Sequence, residues 1–76
     1  MESDFYELWN IAIDKDPFLR LVVEYSKVCD WTICISKGRA SKSTQLFHGQ
    51  NCDRKLIYAE AYVWLCNYLS EIHGGY

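Results

Sequence analysis

The stretch CDWTICISKGRASKSTQLFHGQNC, from Cys29 to Cys52, decides the fold, because it reads either as a metal cradle or as two strands of a sheet. Its ends spell C-x4-C and H-x3-C, so Cys29, Cys34, His48 and Cys52 form a legitimate four-ligand set for tetrahedral zinc. Against that, Trp31, Ile33 and Ile35 alternate with Thr32, Cys34 and Ser36, the period of a strand with one buried face. A strand here sends Cys34 to the face opposite Trp31 and disperses the four ligands. The cysteines then read as strand thiols behaving as small hydrophobes, and no metal or other cofactor is expected. KGRASKS follows as a polar loop containing Gly38. TQLFHG is a third strand whose register stays open, since either Leu46 with Thr44 and His48, or Phe47 with Gln45, can face inward.

Upstream, Leu19, Leu21, Val23 and Tyr25 alternate with Arg20, Val22 and Glu24 in another strand with one buried face, and residues 26–30 make a turn. Before it, Phe5, Leu8, Trp9 and Ala12 recur at helical spacing, with Ser3 as the expected cap. Asp16-Pro17 ends that helix, because the residue before a proline is pushed out of helical geometry. Downstream, Asn51 or Asp53 caps a long helix running to about Ser70 or beyond, ended by Gly74-Gly75. Its strongest face holds Tyr58, Ala61, Tyr62, Leu65, Leu69 and Ile72 and is assigned to the sheet. Leu56, Val63 and Trp64 fall beside the polar stripe of Glu60, Asn67 and Glu71. A helix apolar over so much of its circumference wants a second contact. The expected fold is α+β: a three-stranded antiparallel meander with both helices on one face, in the order α-β-β-β-α, as a single domain over residues 1–76.

Size makes the cysteines and the surplus apolar surface matter. With 76 residues, half of them hydrophobic and 16% aromatic, the chain can fold, unlike an apolar-poor disordered one. A domain this small is marginally stable without some addition. The first ten residues, MESDFYELWN, are acidic and carry no basic and apolar leader pattern, and no stretch reaches the length of a membrane span. The expected setting is the cytoplasm, away from any membrane, with reduced thiols. The net charge of −2 is small but unevenly spread. Glu2, Asp4, Glu7, Asp14 and Asp16 cluster early, whereas Lys37, Arg39, Lys42, Arg54 and Lys55 cluster late, which makes the molecule an electrostatic dipole.

No phosphate loop, dinucleotide fingerprint or zinc-protease motif is present, and His48 beside Cys52 has no third group to orient it. The chain therefore reads as no enzyme, and as a binding protein. If the loop KGRASK and the helix start Asp53-Arg54-Lys55 lie at one end of the sheet, they converge into an anion site at the helix amides. The element order and that basic helix start resemble the double-stranded RNA-binding domain, which implies duplex recognition through phosphates. In this chain the family's lysine-rich helix opening is reduced to Asp53-Arg54-Lys55, SKVCD replaces its glycine-proline-histidine loop, and the first helix is acidic. Nucleic-acid binding is thus the alternative expectation, and a small zinc domain the third.

In its size, its aromatic richness and its lack of catalytic residues, the chain resembles the small inhibitor proteins of phages and mobile elements, the anti-CRISPR proteins among them. That resemblance implies a protein that covers a functional surface of a host nucleic-acid-handling complex such as a defence nuclease, by occlusion or by acidic mimicry of phosphate. The residues expected to meet a partner are Leu56, Val63 and Trp64 on the long helix, Lys37, Arg39 and Lys42 in the loop, and Asp4 and Glu7 on the first helix. The partner is a host enzyme complex, with a second copy of the chain as the other occupant of the long helix.

Overall fold

The computed structural model describes residues 2–38, 42–72 and 74. Helix α1 (Glu2–Lys15) leads into strands β1 (Leu19–Ser26), β2 (Asp30–Lys37) and β3 (Thr44–Asn51), and helix α2 (Arg54–Ile72) closes the chain. The sheet is an antiparallel meander in the order β1-β2-β3, so the fold is α-β-β-β-α, of the α+β class, as the alternation and helical spacing predict.

Each boundary has a local cause. The chain leaves α1 at Asp16-Pro17, where the Asp16 amide still reaches the Ala12 carbonyl at 2.8 Å and the Leu19 amide returns to the Asp16 carbonyl. The turn from β1 to β2 closes on Asp30, whose φ of 56° is left-handed, a conformation Asp tolerates better than most side chains. Asp53 caps α2 by accepting the Lys55 amide at 2.9 Å, and Asn51 in turn accepts the Asp53 amide at 2.8 Å. Ser3 does not cap α1; it lies inside the first turn of a helix that begins at Glu2.

The core joins Phe5, Leu8, Trp9 and Ala12 of α1 to Leu19, Ile33 and Ile35 of the sheet and to Ile57, Tyr58, Ala61, Leu65 and Leu69 of α2. Helix α2 lies over β2 and β3, and α1 packs chiefly against α2. That offset explains why burial fades along β1: Leu19 is buried, Leu21 and Val23 are half-buried, and Tyr25 is exposed. Where α2 meets β3 the chain needs glycine, because a Cβ on Gly49 would sit 2.5 Å from the Ile57 Cδ1 and 2.9 Å from the Phe47 ring.

Two expectations about faces are corrected. Ile72 is exposed at 58%, because the last residue of α2 has run past the sheet it was assigned to. Ile57 takes a core place instead, since the helix is turned toward β3. Trp64 is half-buried rather than set away from the core, its ring 5.6 Å from Phe47 and 5.1 Å from Tyr68. In β3 the open register resolves through a bulge. Ser36 pairs with Gln45 and Ile35 with Phe47, which leaves Leu46 as the extra residue. Both Leu46 and Phe47 are therefore half-buried, and alternation alone had no way to choose between them.

Candidate functional site

The strands scatter the sulfur and imidazole groups. Cys34 and His48 are direct cross-strand neighbours, on the sheet face opposite Ile33 and Ile35. Cys29 sits in the exposed β1–β2 turn and Cys52 just beyond β3. Cys34 lies four residues into β2, about 13 Å along the strand from that end. Among the described residues, no group of three or more His, Cys, Asp or Glu side chains converges as a metal site would require. The Cys34–His48 pair is the nearest thing to a nucleophile and its base. Burial raises the Cys34 thiol above its ordinary range, and the Glu24 carboxylate adds to the shift, so the reactive thiolate is disfavoured.

The two basic segments do not converge. The β2–β3 loop leaves from the Lys37 and Thr44 end, whereas α2 starts at the Trp31 and Asn51 end. Eight residues of strand, about 26 Å, separate them. Antiparallel pairing dictates this, because a hairpin loop and the exit of its second strand lie at opposite ends. Lys37 is also engaged, its Nζ 2.8 Å from the Asp16 carboxylate. That hydrogen bond raises the Lys37 pKa. Arg39 lies outside the described residues, and Lys42 is exposed.

At the other end a hollow of about 310 Å³ is lined by Glu2, Arg54, Lys55 and Tyr58. It is a poor anion site. The Glu2 carboxylate already holds Arg54, the guanidinium lies 4.9 Å from the centre of the Trp31 ring, and Asp53 accepts the Lys55 amide. The early acidic cluster is likewise divided. Glu2 is bound to Arg54, and Asp16 is buried between Lys37 and the Tyr68 hydroxyl, which donates to it at 2.9 Å. Asp4, Glu7 and Asp14 remain on the exposed side of α1. Sequence reasoning missed the Asp16–Lys37–Tyr68 node. The only available signal was a carboxylate placed just after a helix and beside a proline.

Three of the expected residues do come together. Leu56, Val63 and Trp64 line one shallow, mostly apolar groove of about 510 Å³ along α2, with Ala59, Glu60 and Asn67. Leu56 is 52% and Val63 59% exposed. The acidic face of α1 and the loop lysines lie elsewhere on the molecule. No protein family, curated protein or solved structure matches this chain. Among the described residues, no helix is long and apolar enough to cross a membrane.

Proposed function

We propose that this chain is a non-enzymatic protein-binding inhibitor of the phage type, acting in the host cytoplasm. Its target in this reading is a nucleic-acid-handling complex, such as a defence nuclease, which it blocks by occlusion. The observation that carries the reading is the groove on α2, where Leu56 and Val63 stand exposed beside the half-buried Trp64. An apolar centre with an aromatic anchor and a polar margin is the make-up of a protein-binding surface. Covering the exposed parts of Leu56 and Val63 contributes about 1 kcal/mol each. Acidic mimicry of phosphate is the weaker route, because Glu2 and Asp16 are engaged inside the molecule. Duplex recognition is weaker for the matching reason: phosphate contacts dominate such affinity, and the basic groups stand at opposite ends of the sheet.

Plasmid clearance tests this reading. Cells with an active guide-directed nuclease are challenged with a target plasmid, with and without this chain. Rescue of the plasmid by the native sequence, and its loss with Val63→Glu, is the expected result. Unimpeded clearance across representative nucleases, together with sub-micromolar binding to duplex RNA in a gel shift, overturns it in favour of nucleic-acid recognition.

A further inference from the structure

The two edges of the sheet are unequal. β1 carries Arg20 and Glu24, charges of the kind that discourage another strand from pairing with a free edge. β3 forms the opposite edge, and from Thr44 to Asn51 it contains no Lys, Arg, Asp, Glu or Pro. The bulge at Leu46 interrupts its first half, and from Phe47 to Asn51 no described backbone group outside the sheet bonds to it. The half-buried rings of Phe47 on this strand and Trp64 on α2 meet at 5.6 Å, and Trp64 continues into the groove of Leu56, Ala59 and Val63. Glu60 is the one charged residue among those lining the groove.

We propose that the β3 edge accepts a fourth strand from a protein partner, an extended segment of alternating apolar residues with one lysine or arginine opposite Glu60. This rests on the protein-binding reading above and names how the surface is used. Backbone hydrogen bonds to β3 supply affinity, and every second side chain of the added strand points to the helix-covered face, onto Phe47 and Trp64. A second copy of the chain fits less well. Pairing β3 with its own copy sets the two α2 helices about 10 Å apart, at the spacing of packed helices. Their facing flanks then each present Glu60, and no lysine or arginine lines that flank to receive it. Like charges brought into one interface oppose association.

The test uses the full chain and capped peptides of alternating valine and threonine, about seven residues long, with a single central lysine or glutamate on the inward face. Binding is followed by amide NMR and by hydrogen exchange, up to millimolar peptide. The lysine peptide is expected to slow exchange at β3 amides and to bind about fivefold more tightly than the glutamate peptide. Glu60→Lys, at an exposed position, reverses that preference, and N-methylation of the peptide residues that face β3 abolishes binding. Shifts confined to α2 with unprotected β3 amides overturn strand addition, while the occlusion reading stands or falls separately on Val63→Glu in the plasmid assay. Protection of β3 that grows with protein concentration in the absence of peptide assigns the edge to a second copy and overturns the proposal. So does the absence of any peptide effect.

Discussion

The two ends of the sheet hold the same set of groups in different surroundings. At one, Asp16 after α1 meets Lys37 of β2 and Tyr68 of α2; at the other, Glu2 of α1 meets Arg54 of α2, which lies over Trp31 and Tyr58. Each is an acid, a base and aromatics, and each ties α1 to α2. Burial separates them. Asp16 is 5% exposed and accepts from both neighbours, whereas the Glu2 and Arg54 side chains are 42% and 51% exposed. A buried carboxylate depends on its partners because it has lost water, while an exposed pair exchanges them for solvent at little cost. Function is touched as well as stability: Glu2, Asp16, Lys37 and Arg54, which look like part of a partner-binding array when read along the chain, are engaged in holding its ends together, while Asp4, Glu7 and Lys42 stay exposed.

The sharpest way to break the comparison is Asp16→Ala. It removes the acceptor that the Tyr68 hydroxyl and Lys37 share, and urea unfolding should show a loss of about 2–4 kcal/mol. Alkaline pH probes both ends together. Burial, reinforced by the hydrogen bond to Asp16, raises the Tyr68 pKa; burial with the Tyr6 hydroxyl raises that of Tyr58; and the Asp16 contact raises that of Lys37. All three groups hold their protons more tightly in the fold than in the unfolded chain. Their contribution is complete below the unfolded values and is lost as pH rises through the folded ones, so stability should fall from about pH 9.5 upward. A melting temperature unchanged up to pH 11 contradicts the arrangement at both ends.

Smaller effects belong to the exposed end and the groove. Arg54→Ala should cost about 1 kcal/mol, most of it from the stacking on Trp31 and not from the ion pair. Leu56→Glu and Val63→Glu should each lower the unfolding free energy by no more than about 1 kcal/mol, since about half of each side chain already stands in water. Circular dichroism showing either variant unfolded makes the groove ordinary core. Glu2→Gln should be the mildest, below about 0.5 kcal/mol. If it matches Asp16→Ala, burial is not what distinguishes the two ends.

The elements were legible because each rests on neighbours in the chain. Alternation in Leu21 to Val23 and Trp31 to Ile35, helical spacing in Phe5 to Ala12, and the Asp16-Pro17 break are local signals, and they give α-β-β-β-α in order. The groove was half-legible. Leu56 and Val63 fall on the outer arc of any helix drawn from residue 54, but Trp64 needed the actual rotation of α2 over β3 before its contact with Phe47 was visible. The bulge at Leu46 was not legible, because two adjacent apolar residues satisfy either register until the pairing partner is known.

Local residue order sets where the chain turns helical or extended, since capping, proline geometry and side-chain period act within a few residues. The tertiary structure alone decided which charges remain available to a partner. Tyr68 reaches Asp16 across 52 positions of chain. Arg54 reaches back to Glu2, and the antiparallel path carries the lysine loop and the start of α2 to opposite ends of the sheet. An ion pair forms wherever packing brings two side chains within a few ångströms and takes water from at least one of them. Neither condition is written in the local order of the residues.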